Sequence, residues 1–151
     1  VAFTSIKEII RTTVGESLEA EKANLKLANA MRLVGDYSVQ AAEGFNEFAE
    51  ALAKTSEASD DEIKSSLALA KSFQLTNDEA KKVVLAATDL AALTGGDLNS
   101  AVQALAKTYN GFVSRELKQL SPELRALTTV QLQNGEAVKI LGERAKAQLQ
   151  F

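Results

Sequence analysis

Three stretches of this 151-residue chain hold side chains whose types and spacing could do chemistry. Asp60-Asp61-Glu62 is the densest acidic cluster, and clustered carboxylates are what a hard cation binds. A calcium loop needs oxygens at alternating positions and a closing bidentate Glu, and that layout is missing. The cluster reads instead as a solvated first turn whose charge complements the helix dipole. Leu93-Thr94-Gly95-Gly96-Asp97 puts two glycines ahead of a helix start, where backbone N–H groups can hold a phosphate. No Lys-Ser/Thr follows those glycines and no strand pattern precedes them, so they read as the stop of one helix and the start of the next. Arg115, Lys118 and Arg125 lie near Glu116 and Glu123 in the sequence; local ion pairs worth about 0–1 kcal/mol each account for them. Serines and lysines are numerous enough for a Ser/Lys nucleophile pair, but no spacing marks one.

The chain has no His and no Cys. The commonest general base, the commonest metal ligand and any thiolate site are therefore absent together. The expectation is a protein that is not an enzyme, with no catalytic, cofactor-binding or metal-ligating residues, no cofactor and no small-molecule substrate. A net charge of -3 gives no nucleic-acid footprint, which needs clustered Lys/Arg on one face. The final stretch is mildly basic, with Arg115, Lys118, Arg125, Lys139, Arg144 and Lys146 against Glu116, Glu123, Glu136 and Glu143. Mixed signs of this kind describe a solvated surface, and no specific nucleic-acid binding is expected. No run of 18 apolar residues appears, so no membrane span is expected. "VAFTSIKEII" has no signal-peptide layout and no initiator Met, which reads as an internal piece of a longer chain.

The elements that would position any site are helices. Hydrophobic residues make up 46% of the chain but aromatics only 5%, so the core must be built from Ala, Leu, Val and Ile. One Pro and eight Gly are too little punctuation for a many-turned β fold, and no segment alternates with period two. Ser5 and Glu8 form a capping box ahead of Ile6, Ile9, Ile10, Val14, Leu18, Leu25, Ala28 and Met31, predicting one long helix to about Val34, bent near Gly15. Gly35 is its stop and Asp36 the cap of the next start. Val39, Ala42, Phe45, Ala49 and Leu52 predict a helix over 37–55. Gly44 inside it costs about 1 kcal/mol against Ala, and a close helix approach would explain it.

Ser59-x-x-Glu62 and Thr76-x-x-Glu79 are two more capping boxes, with "SDDEIK" and "TNDEAK" reading as one unit written twice. With Asp97 as a third start, helices are predicted near 60–73, 77–94 and 98–110. Their facing stripes are Ile63, Leu67, Ala70 and Phe73; Val83, Val84, Ala87, Leu90 and Ala91; Leu98, Ala101, Val102, Leu105 and Tyr109. Short loops force such helices together, so this trio is the expected core. Ser121-Pro122-Glu123 predicts a short helix to about Leu127, and Asn134-Gly135 a turn before a last helix over 136–149. The fold class is all-α: a bundle of short antiparallel helices preceded by one or two longer ones. Residues 1–57 are expected to form long N-terminal helices, free to pack or to project, and residues 58–151 a compact helical domain.

The run "SDDEIKSSLALAKSFQLTNDEAKKVVLAATDLAALTGGDLNSAVQALAKTYNG" resembles the conserved helical region of tail tape measure proteins of tailed phages and prophages. That region orders an acidic helix start, a short hydrophobic helix, a "lt-x-eea" start, an Ala-rich helix ending in "TG-x-D", and an "A-x-x-ALAK" helix ending in Gly. "RELKQLSPELRALTTVQLQNGEAVKILGERA" is similar to the segment that follows, so the resemblance spans about Ser59 to Ala145. It implies a structural role: setting tail length and assembling the tail in the tube lumen, with a part in DNA delivery. The implied partners are tail tube and tail tip proteins and further copies of itself. The implied location is the virion tail lumen, and the host cytoplasm during assembly. A measuring rod should be one extended helix, whereas these short capped helices should fold back on themselves. The piece is therefore expected to be a compact docking or plug element within the larger protein. A helical protein–protein adaptor unrelated to phage is the alternative. A membrane-active segment is disfavoured by the acidic charge and the few aromatic anchors.

Overall fold

The computed structural model describes residues 20–149; the Ser5–Glu8 box, the bend near Gly15 and the apolar positions up to Leu18 lie outside them. Among the described residues the chain is all-α, with no strand. The helices are α1 (20–33), α2 (Val39–Thr55), α3 (Asp60–Lys71), α4 (Asn77–Thr94), α5 (Leu98–Thr108), α6 (Arg115–Leu120), α7 (Thr129–Gln133) and α8 (Glu136–Leu149), with a 3₁₀ turn at Pro122–Ala126 between α6 and α7.

Local chemistry sets most boundaries. Gly35 at φ 76° ends α1: its N–H reaches Arg32 O at 3.1 Å and Asp36 N–H reaches Met31 O at 2.9 Å, the paired bonds of a Schellman stop. The cap of α2 is Ser38 rather than Asp36: its hydroxyl accepts Ala41 N–H, while Asp36 is drawn away to Lys71. Thr76 and Glu79 complete the full reciprocal box. At α3 only half of the expected box forms. Ser59 Oγ accepts Glu62 N–H at 3.1 Å, but the Glu62 carboxylate takes the Ser59 hydroxyl instead of its backbone N–H. Gly95 at φ 69° stops α4 and Asp97 caps α5.

After Gly111 the chain holds more structure than its pattern predicts. Ser114 caps α6, and Thr128 with Gln131 makes a second full box at α7, carried by "TTVQ". The segment opened by Pro122 is a 3₁₀ turn with no side-chain cap.

One core runs through all of this. Leu27 and Met31 of α1 and Phe45, Ala49 and Leu52 of α2 join Ile63, Leu67, Val83, Val84, Val102, Leu105, Leu124 and Leu141 in a single cluster. Residues 20–57 and 58–149 thus share it. On α1 the buried face is Ala23, Leu27 and Met31, spaced by four; Leu25 sits on the opposite side and is 60% exposed, so the expected seam through Leu25 is corrected. Val39, at the first turn of α2, is likewise outside the core. Helices α3, α4 and α5 pack on one another as their short loops require. The most extensive pairing, however, joins α4 to α8, so the last helix adds its face of Ala137, Val138, Leu141 and Ala145 to the bundle.

Candidate functional site

The residues singled out for chemistry are dispersed. Asp60, Asp61 and Glu62 form the first turn of α3. Asp60 Oδ2 lies 3.5 Å from Lys64 Nζ, and Asp60 Oδ1 is buried without a hydrogen-bond partner. Gly95 and Gly96 make the α4–α5 corner, and at the helix start beyond them Ser100 N–H donates to Asp97 Oδ2 at 3.1 Å. Arg125 forms no ion pair with Glu123. Glu123 instead accepts from Arg144 Nη1 at 2.8 Å, 21 residues on, and from the buried Ser121 hydroxyl at 3.2 Å, which ties the 3₁₀ turn to α8. Among the described residues no three acidic side chains gather closely enough to hold a metal ion. Ser38, Ser59 and Ser114 cap helices, Ser72 donates to Leu69 O, Ser66 to Asn99 Oδ1 at 2.9 Å and Ser121 to Glu123, while Ser56 Oγ is buried without a partner. No helix among them is long and apolar enough to cross a membrane.

What the packing creates is surface relief. The clearest feature is a groove of about 380 Å³ along the α4–α8 junction. Leu85, Ala86, Tyr109, Val138 and Gly142 line its apolar part, and Lys82, Asp89, Lys139 and Glu143 stand around it. It exists because α4 and α8 approach closely: a Cβ placed on Gly142 would meet Ala86 Cβ at 3.2 Å. The Tyr109 ring lies against Gly135, where an added Cβ would be 2.7 Å from Oη. Burial pushes the Tyr109 hydroxyl up to about 12, with the negative charge of Glu79 adding to the effect. Burial also raises Asp89 above the usual carboxylate range, and Lys146 partly offsets it. Leu85, at the edge, is 48% exposed.

A second cleft, of about 890 Å³, lies between α1 and the starts of α3 and α5. Lys22 and Lys26 of α1 face Asp61, Glu62 and Asn99 across it, so it is polar and mixed in sign. The arrangement offers surfaces for association between helices rather than a convergent set of reacting groups.

Sequence reasoning missed Lys71 altogether. It is fully buried, and its ammonium donates at 2.6 Å to both Asp36 Oδ2 and Leu75 O. Nothing in the local pattern distinguishes it from a surface lysine at a helix C-terminus. No protein family, curated protein or solved structure matches this chain.

Proposed function

We propose that this chain is a structural segment of a phage or prophage tail tape measure protein. It acts in tail-length determination and tail assembly inside the tube lumen, with a role in DNA delivery, and it has no catalytic part. The observation that carries this reading is the order of helix punctuation from Ser59 to Gly111: "SDDEIK", "TNDEAK", "LTGGD" and "ALAKTYNG", each standing at a helix boundary. The folded-back shape supports a docking or plug role for this segment. Drawn out as one helix, the described residues would span roughly 200 Å at the standard rise, whereas α4, with 18 residues, reaches only about 27 Å. Its partners on this reading are tube and tip proteins and further copies of the chain.

The test is in-frame removal of residues 20–149 from the encoding gene, followed by electron microscopy of tails. Shortened tails support a length-setting contribution, and absent tails an assembly or tip-docking role. Tails of normal length and infectivity sink the proposal and leave the helical adaptor, for which the α4–α8 groove is the available docking surface.

A further inference from the structure

The chain contains the dipeptide Asn-Gly twice, at Asn110-Gly111 and Asn134-Gly135. An Asn side chain followed by Gly is open to a known self-reaction, because no side chain shields the next backbone nitrogen. That nitrogen attacks the Asn Cγ, forming an N–Cγ bond. The Cγ–Nδ2 bond breaks, and ammonia leaves with the proton from the glycine N–H. Water then opens the resulting five-membered imide at either carbonyl, giving Asp or isoaspartate. The sum is one amide plus one water yielding one acid plus one ammonia.

The two sites share a backbone geometry. Both glycines have positive φ, 89° at Gly111 and 85° at Gly135. Both donate N–H at 3.0 Å to the carbonyl three residues back, Thr108 O and Leu132 O. Their surroundings differ. Gly111 is exposed just past the end of α5, and the nearest atom to an added Cβ is the Thr129 methyl at 3.8 Å. Gly135 is pressed by Tyr109, with two ring carbons at 3.2 Å from an added Cβ as well as Oη at 2.7 Å. The Gly135 carbonyl also accepts Lys139 N–H, the first bond of α8. Turning Asn134 into the attacking geometry therefore means displacing the Tyr109 ring and opening the first bond of α8. Rotating Asn110 breaks only end-of-helix bonds, which open at the low end of local stability.

We propose that Asn110-Gly111 is a site of spontaneous deamidation in the folded chain, and that Tyr109 withholds the same reaction from Asn134-Gly135 until the α7–α8 corner opens. Reaction at Asn110 places a negative charge at the C-terminus of α5, where the helix dipole disfavours it. Its isoaspartate product adds a methylene to the backbone and breaks the bond from Phe112 N–H to Lys107 O, altering the link from α5 to α6.

The full chain is incubated at mildly alkaline pH, folded and in urea, and both sites are followed by peptide mapping with mass spectrometry. In the folded chain Asn110 should convert roughly tenfold or more faster than Asn134, a ratio that reports how rarely the covered corner opens. In urea the two rates should agree within about twofold, since the dipeptides are identical once the fold is gone. Equal rates in the folded chain, or faster loss at Asn134, overturn the proposal. Y109A should bring the Asn134 rate toward its urea value while the helical signal persists; an unchanged rate in that folded variant rules out Tyr109 as the guard. If Y109A does not fold, the comparison of the two sites in the unaltered chain still decides.

Discussion

The ammonium of Lys71 lies 2.6 Å from Asp36 Oδ2, joining the α1–α2 turn to the end of α3 across 35 residues of sequence. Lys71 is wholly buried, and the Asp36 side chain is 41% exposed. The two ends of this pair therefore differ in what their loss leaves behind. Asp36→Ala leaves a buried ammonium whose only remaining acceptor is Leu75 O, and should cost about 1–3 kcal/mol. Lys71→Met leaves a carboxylate that water can reach and takes the donor from the Leu75 carbonyl, beside an apolar side chain of similar length, and should cost less, about 1 kcal/mol. Urea unfolding of both variants checks this; equal losses would mean the pair is no more than a surface contact.

Two glycines inside helices should respond to alanine with opposite signs. At Gly44 an added methyl meets only the flexible end of Lys81, at 3.5 Å, so the close backbone approach that would justify a glycine is not what holds that position. Gly44→Ala should stabilise by up to about 1 kcal/mol through helix propensity. At Gly142 the methyl meets Ala86 Cβ at 3.2 Å, within the most extensive helix pair of the fold. There the propensity gain is set against overpacking of about 1–3 kcal/mol, and the net should be a loss. Matched denaturation midpoints for the two variants decide it, and a stabilised Gly142→Ala would contradict the close approach.

Caps at α3 and α4 look alike in sequence but differ in bonding. Thr76→Ala and Ser59→Ala each remove an acceptor for a helix N–H and should cost about 1 kcal/mol. Glu79→Ala should add a measurable loss, because its carboxylate takes Thr76 N–H at 2.9 Å. Glu62→Ala removes a hydroxyl contact and a first-turn charge but no backbone bond, and should cost less than Glu79→Ala. Thermal melts of the four variants read the difference.

Alkaline pH should weaken the fold through Tyr109. Its hydroxyl is pushed from the ordinary value of 10.0 up to about 12 by burial. A folded-state value raised above the unfolded one means the folded chain holds the proton more tightly. The stabilisation is therefore complete below about pH 10 and is lost as pH rises toward 12. Tyr109→Phe should lose less stability over this window than the wild type. With Tyr37→Phe as background, Tyr109 is the only tyrosine left, so its ionisation can be followed directly by ultraviolet absorbance. Ionisation near the ordinary value in the folded chain would refute the burial argument.

The boundaries of α3, α4, α5 and α8 could be read from single residues because capping is local. Ser59, Thr76 and Asp97 bond to N–H groups three positions away, and Gly95 and Gly135 supply the positive φ that ends a turn. The all-α class follows from the same signals together with the apolar spacing. The α7 box at Thr128 and Gln131 was equally legible but sat in a stretch of weak apolar period.

Which helices meet, and which polar groups they bury, was decided by tertiary packing. A lysine closing α3 reads like any solvated helix end until the α1–α2 turn folds over it. Glu123 beside Arg125 suggests a local pair until α8 delivers Arg144. Gly142 and Tyr109 acquire their meaning only where α8 lies on α4 and the α7–α8 corner comes against α5. These contacts join positions tens of residues apart, and no spacing within one helix encodes them. Sequence alone determined where the helices start and stop, because hydrogen bonds over three or four residues do that work. The closing of the bundle decided the buried ion pair, the groove and the guarded glycine, because each requires two elements to arrive at the same place.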